Sequence, residues 1–101
     1  MKRTKSMVYR ETEESRELFL YATNTGEIYP QTCVIIRNLA KKYAKGVYDV
    51  DKAIDAFYPL ATLASNMYLK WYGYSFTVQD RFTAAVDMRD YYFENIVNND
   101  V

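Results

Sequence analysis

The chain has 101 residues and half of them are apolar, a composition typical of one globular domain rather than of a disordered segment. Lysine plus arginine balance aspartate plus glutamate at 13 each, so no overall charge selects nucleic acid or an anionic membrane. A single cysteine excludes an internal disulfide, and no apolar run reaches the roughly 18 residues that a membrane span needs. We therefore expect a cytoplasmic protein with no membrane association.

The apolar periodicity predicts an all-α domain, a single compact bundle of four or five helices. Residues 1–11 are polar and lack periodicity, so they are expected to form a flexible N-terminal tail. The helical domain is expected to cover residues 12–97, with a frayed C-terminus at 98–101. No segment alternates convincingly at period two, so strands are not expected.

Two helices are predicted in the first half of the domain. Thr12 and Ser15 are both candidate N-caps of helix 1, and Gly26 follows its predicted end. Helix 2 is expected to begin near Pro30, because proline is favoured in the first turn, and to stop at Gly46.

The third predicted helix contains a proline. Asp49 is the expected N-cap, and the apolar stripe continues as far as Trp71. Pro59 lies inside this stripe, where it removes one backbone hydrogen bond and its ring clashes with the preceding turn. Helix 3 is therefore expected to kink or to divide at Pro59.

The last predicted helix begins at a possible capping box. Thr77 and Asp80 have its spacing, with aspartate in place of the usual glutamate. Helix 4 is then expected to continue as far as Ile96, with Phe93 among its buried side chains.

The residue types that carry most enzymatic chemistry are scarce. No histidine is present, which removes the commonest general base and the commonest metal ligand. Cys33 lies within the apolar stripe of helix 2, as expected for a buried inert thiol. Asp87, Asp90 and Glu94 share one predicted helix face, which we interpret as solvated and locally ion-paired. We therefore expect no enzymatic activity, no metal site and no cofactor.

A row of cations on helix 2 suggests one possible binding surface. Its members recur every four residues, and a further lysine and two tyrosines lie close by in the chain: Arg37, Lys41 and Lys45, with Lys42, Tyr43 and Tyr48. Basic side chains beside aromatic rings are typical of single-stranded nucleic-acid sites. The structural alternative is that these cations complement the helix dipole and cover apolar surface.

A dense block of aromatic residues suggests a second binding surface. Eleven residues are tyrosine, and the block surrounds the predicted end of helix 3: Tyr68, Trp71, Tyr72, Tyr74 and Phe76. So many rings in so short a segment cannot readily all be buried on one side, which favours an exposed patch that binds a protein partner. Simple core packing is the alternative, because aromatic residues dominate both settings.

Seven short segments between residues 15 and 53 form a distinctive pattern: Ser15-Arg-Glu-Leu18, Leu20-Tyr21, Ile28-Tyr29, Asn38-Leu39, Ala44-Lys-Gly46, Tyr48-Asp49 and Lys52-Ala53. Together they resemble a group of small, functionally uncharacterised proteins encoded by tailed bacteriophages, and the resemblance covers most of residues 15–93. It implies a phage or mobile-element source, hence a location in the host cytoplasm, and it identifies no catalytic residue.

These observations favour a phage accessory protein that acts by binding a protein partner, either a host factor or a second copy of itself. Its sharpest version is an inhibitor of a host enzyme or defence complex. The alternative is a single-stranded nucleic-acid-binding protein that uses the basic row.

Overall fold

The computed structural model describes residues 7–101, which form five helices and no strand. The predicted all-α bundle is confirmed. The helices are α1 (Glu13–Asn24), α2 (Tyr29–Ala44), α3 (Val50–Tyr72), α4 (Val78–Tyr91) and α5 (Phe93–Asn98). The longest of them, α3, packs against α1, α2 and α4, so the core surrounds it. None of the described helices is both long enough and apolar enough to cross a bilayer.

Side-chain caps begin α1 and α4, where the sequence predicts them. At α1 the Thr12 hydroxyl accepts the Ser15 N–H at 3.0 Å, while Ser15 Oγ accepts the Thr12 N–H at 2.9 Å. The predicted capping box of α4 is confirmed, with Thr77 Oγ1 accepting the Asp80 N–H at 3.0 Å and Asp80 Oδ2 accepting the Thr77 N–H at 3.1 Å. Each pair satisfies backbone donors that the helix start leaves unbonded.

The corner between α2 and α3 is closed as predicted. Gly46 follows the end of α2 with φ of 74°, a left-handed conformation that favours glycine. Asp49 Oδ1 accepts the N–H groups of Asp51 at 2.8 Å and Lys52 at 3.0 Å, and these hydrogen bonds hold the pKa of Asp49 below its usual value. Gly73 ends α3 in the same left-handed conformation, with φ of 71°.

Pro59 does not divide α3. The helix continues through it, and Pro59 itself is exposed, while Phe57 and Leu60 on either side of it are buried. Of the two expected outcomes, division does not occur, because the tertiary packing of both halves outweighs the loss of one backbone hydrogen bond, and the kink stays a prediction.

The predicted fourth helix is in fact two helices separated at Tyr92. Tyr92 has φ of −94° and ψ of 6°, and its side chain is buried, with its ring stacked on Phe57 at a centroid distance of 5.8 Å. Ile96 is buried as predicted, but Phe93 is 41% exposed, so its placement in the core was wrong. The change of direction lets α5 pack against α2, which brings Tyr92 rather than Phe93 into the interior.

Within the predicted N-terminal tail, residues 1–6 lie outside the described part of the chain. The rest of it makes specific contacts with α4. The Tyr9 hydroxyl donates to Asp87 Oδ1 at 2.9 Å, and the Arg10 N–H donates to Thr83 Oγ1 at 3.1 Å. These hydrogen bonds fasten the segment before α1 along α4.

The C-terminal residues form a hydrogen-bonded helix end. Asn99 is left-handed, with φ of 51°, and the Asp100 N–H donates to the Asn95 carbonyl at 2.9 Å. The Asn95 side-chain amide donates a hydrogen bond to the Asp100 carbonyl at 2.8 Å. The segment predicted to fray at residues 98–101 therefore contains an ordered cap of the kind that satisfies terminal carbonyls.

Candidate functional site

Tyr68, in the last two turns of α3, is the centre of a cluster of aromatic rings. Its ring lies 4.6 Å from that of Tyr72, 4.9 Å from Phe76, 5.2 Å from Tyr21 and 6.4 Å from Tyr74, measured between centroids. Most of these contacts are edge-to-face, an arrangement that stabilises aromatic pairs beyond their buried area. The left-handed turn at the end of α3 brings the rings that follow it back against the helix. Tyr68 is therefore packed between Tyr21 of α1 and the rings of the segment after α3.

The predicted partner-binding residues differ in exposure. Trp71 is 67% exposed, Tyr72 66% and Tyr74 44%, while Tyr68 is half-buried. Phe76 is only 4% exposed, because the rings of Tyr68 and Tyr74 cover it at 4.9 Å each. We call Trp71, Tyr72 and Tyr74 the aromatic surface, with Tyr68 and Phe76 supporting it from beneath.

Trp71 belongs to this surface but not to the ring cluster. None of the ring–ring contacts found among residues 7–101 involves its indole. The Lys70 ammonium instead lies 5.7 Å from the centroid of that indole, within the range of a cation–π interaction. The indole is thus separate from the other rings and largely exposed to solvent.

Tyr21 is a member of the cluster that the sequence did not identify as part of the site. It lies on α1, and its ring contacts those of Tyr68 and Tyr72. Its spacing from Leu18 places it on the apolar face of helix 1, but this spacing does not specify which rings it contacts. The packing of α1 against α3 decides which rings it meets.

A depression of about 240 Å³ adjoins the aromatic surface. Its lining combines glutamates from α1 with rings from the end of α3 and the segment after it: Glu13, Glu14, Glu17, Tyr68, Tyr74 and Phe76. Burial raises the pKa of the Tyr68 hydroxyl, and the nearby Glu17 carboxylate raises it further. The tyrosine therefore stays protonated and neutral beside these carboxylates at physiological pH.

A second depression, of about 410 Å³, lies on the other side of α1. It is lined by Glu11, Arg16, Phe19, Leu20, Asp87, Asp90 and Tyr91. Arg16 pairs with Glu11 at 2.9 Å, so this groove already holds a cation of its own.

Asp87 in this groove differs from its predicted setting. It is partly buried and accepts the Tyr9 hydrogen bond, and burial raises its pKa, with Glu11 and Asp90 adding to the effect. Desolvation and the Asp87 carboxylate together raise the pKa of Tyr9 to about 12. A phenol this weakly acidic keeps its proton near neutral pH, so the pair acts as a fixed hydrogen bond that anchors the N-terminal segment.

The helix face predicted to carry Asp87, Asp90 and Glu94 does not form as expected. Asp90 makes the expected local ion pair, with its Oδ1 2.9 Å from Arg89 Nη2. Glu94 lies on α5 rather than α4, because the helix breaks at Tyr92. The three carboxylates therefore do not share one helix face.

The basic row is exposed on α2, as its spacing predicts, with Lys42 also exposed. Tyr43 and Tyr48 lie beside it with ring centroids 5.9 Å apart. Phe93 of α5 completes a triangle of rings, 6.1 Å from Tyr43 and 5.9 Å from Tyr48. The sequence missed Phe93 because helical periodicity placed it in the core. We call the row with these rings the basic aromatic surface: Arg37, Lys41, Lys42, Lys45, Tyr43, Tyr48 and Phe93.

Within residues 7–101 no group of three or more histidine, cysteine, aspartate or glutamate side chains is arranged to hold a metal ion. Cys33 is buried in α2, as predicted.

Three comparisons with known proteins add no further assignment. The chain matches no family model, no curated protein and no solved structure.

Proposed function

We propose that this chain is a non-catalytic binding protein that docks a protein partner on the aromatic surface. The observation that carries the proposal is the exposure of Trp71 and Tyr72, about two thirds each, at the end of the longest helix. Tryptophan and tyrosine are the residues most enriched among those that dominate binding energy at protein interfaces. Large rings left open to water in this way cost solvation free energy that a docked partner recovers.

The ring cluster supports the same proposal. Tyr72 is held by Tyr68 and Tyr21, and Tyr74 packs on Phe76, so these side chains lose little conformational freedom when a partner binds. A surface that is already ordered retains more of its contact energy as affinity.

The resemblance to phage-encoded proteins supports a role for this chain in the infected host cell. A phage accessory protein in the host cytoplasm would act on a host factor. The most specific version of this proposal is inhibition of a host enzyme or defence complex. The mechanism is steric occlusion, in which the aromatic surface covers a site on the partner. A second copy of the chain is the other partner of this class.

The single tryptophan provides the test. The free monomer is expected to show the emission of a solvent-exposed indole, quenched efficiently by iodide. A partner captured from host lysate, then purified and titrated, should shift this emission to shorter wavelength and protect Trp71 from quenching. Self-association should produce the same change with rising protein concentration, checked by sedimentation. A partner that binds without changing Trp71 emission or quenching would contradict the proposal.

A second candidate function is single-stranded nucleic-acid binding by the basic aromatic surface. The specific observation in its favour is that Phe93 joins Tyr43 and Tyr48 next to the exposed cations of α2. Cations and rings together supply phosphate contacts and base stacking. Edge-to-face packing of Tyr43 against both other rings limits the flat ring area that is left for stacking, so this function ranks second.

For the second candidate, Lys41→Glu is the informative substitution. If the candidate is correct, wild-type protein binds an oligothymidylate with an affinity that falls with salt, at a log–log slope of about −2 for three phosphate contacts. Lys41→Glu should abolish this binding, measured by fluorescence anisotropy. Lys70→Glu makes the same charge change away from the basic aromatic surface and should retain most of it. Undetectable binding of wild-type protein at low salt would eliminate this function.

A further inference from the structure

The depression of about 240 Å³ beside the aromatic surface has one wall of carboxylates and one of rings. Glu13, Glu14 and Glu17 project from the first turns of α1, and the facing wall is formed by Tyr68, Tyr74 and Phe76. We call it the acidic aromatic pocket. It is continuous with the aromatic surface, because Tyr68 supports that surface and Tyr74 belongs to both.

Within the described residues 7–101, no lysine or arginine lies against the carboxylates of this pocket. Three glutamates and no lysine or arginine line it, and none of the three takes part in an ion pair within the described residues 7–101. Glu13 and Glu17 are four residues apart on one helix, a spacing at which like charges repel. The dipole of α1 offsets this repulsion only near its first turn, where Glu13 and Glu14 lie. The groove on the other side of α1 shows the contrast, since there Arg16 pairs with Glu11 at 2.9 Å.

The rings of the opposite wall suit a cation as well. Tyr68 and Tyr74 each lie 4.9 Å from Phe76, at interplanar angles of 64° and 74°, and stand at 82° to one another. Rings at steep mutual angles present faces in several directions, and a cation within about 6 Å of a ring face is attracted to it. The wall therefore adds to the attraction of the carboxylates.

The size of the pocket narrows the choice of occupant. Its volume of about 240 Å³ lies below the roughly 300–1,000 Å³ typical of sites for free small molecules. A single long side chain that enters from a docked surface fits the space better. Tyr74 of the lining belongs to the aromatic surface, and Tyr68 contacts Tyr72 at 4.6 Å, so that side chain would lie within the proposed interface.

We infer that the acidic aromatic pocket receives a lysine or arginine side chain of the protein partner that docks on the aromatic surface. The inference rests on the proposed function and specifies the partner's chemistry, a basic residue beside an apolar patch. The three carboxylates provide the charge complementarity, and the rings of Tyr68 and Tyr74 hold the cation. The same arrangement disfavours a partner that presents a carboxylate at this position.

A capped hexa-arginine peptide is the probe for this pocket, with binding followed by NMR shifts of backbone amides. At low salt the largest shifts are expected at the pocket residues, and the affinity should fall as salt is added. The triple variant Glu13→Gln, Glu14→Gln, Glu17→Gln should bind about tenfold more weakly. Its matched control, Glu27→Gln, Asp51→Asn, Glu94→Gln, removes the same charge elsewhere and should change the affinity less than about twofold.

Tyr74→Leu provides a second variant that keeps every carboxylate. Removing one ring face should weaken hexa-arginine binding about threefold, and circular dichroism verifies that the helices of each variant are intact. Two results would overturn the inference. One is the absence of pocket shifts with wild-type protein at low salt. The other is an equal loss in the two triple variants, which would show that only net charge matters.

The partner assay separates this inference from the proposed function. A partner that protects Trp71 but binds equally to wild type and to the glutamine triple variant overturns the inference and leaves the proposed function standing. Concentration-dependent shifts of the pocket amides in the protein alone would identify a second copy as the partner, and the inference is overturned if these shifts persist unchanged in the glutamine triple variant. Failure of every partner to perturb Trp71 refutes the proposed function, whatever the peptide titration shows.

Discussion

Phe57→Ala is expected to lower the free energy of unfolding by about 3–5 kcal/mol. The side chain is fully buried on α3, and its ring stacks on that of Tyr92 at 5.8 Å with an interplanar angle of 15°. Alanine would leave a cavity that the surrounding α3, α4 and α5 cannot readily close, so the loss combines transfer free energy with the cost of the void. For a domain of this size the midpoint of thermal unfolding should fall by roughly 12–40 °C.

Phe93→Ala is the matched control for this substitution. It makes the same chemical change at a ring that is 41% exposed, so the expected loss is only about 1 kcal/mol. Urea denaturation followed by circular dichroism measures both variants, with the slope of the transition compared to verify two-state unfolding. Equal losses in the two variants would contradict the placement of Phe57 and Tyr92 in the core and of Phe93 outside it.

The double variant Trp71→Ala, Tyr72→Ala is expected to bind the partner at least 100-fold more weakly than the wild type. Removing a ring at the centre of an interface commonly costs about 2 kcal/mol or more, and two such losses exceed a factor of 100. Both rings are about two thirds exposed in the free protein, so their removal should leave the fold largely intact. Isothermal titration calorimetry with the purified partner provides the affinity.

Tyr29→Ala with Tyr91→Ala is the control for the binding experiment. These rings are also largely exposed but lie away from the end of α3, on α2 and α4, so the affinity should change less than about threefold. A loss in the control as large as in the Trp71, Tyr72 variant would show that the partner does not dock on the aromatic surface. Thermal unfolding of both variants distinguishes a binding defect from a folding defect.

The candidate site was only partly predictable from the sequence. The aromatic block could be identified from its density, and the expectation that some of its rings stay exposed agrees with Trp71 and Tyr72 at the surface. The sequence could not show which rings of the block are buried and which are exposed. That division depends on the turn after Gly73, which packs Phe76 beneath Tyr68. The glutamates of α1 gave no sign of facing these rings, since they lie more than 50 positions away in the chain.

The sequence by itself determined the features that depend on neighbours along the chain. Helical periodicity predicted the all-α class, and the cap residues Thr12, Asp49 and Thr77 were identifiable because their side chains can accept the unbonded N–H groups of the first helical turn. The left-handed stop at Gly46 has the same local origin, since it follows from the absence of a Cβ.

Only the tertiary structure decided whether these local tendencies were followed or overridden. Pro59 weakens α3, yet the helix continues because residues on both sides of it are buried against other helices. The sequence around Tyr92 continues the helical pattern and predicts no helix end. The chain nevertheless turns there, because α5 then packs on α2 and the Tyr92 ring stacks on Phe57. The physical reason is common to both cases. Each large side chain buried against distant segments contributes about 1.5–3 kcal/mol, and several together exceed both the roughly 3 kcal/mol cost of an interior proline and the roughly 1 kcal/mol that other local propensities contribute.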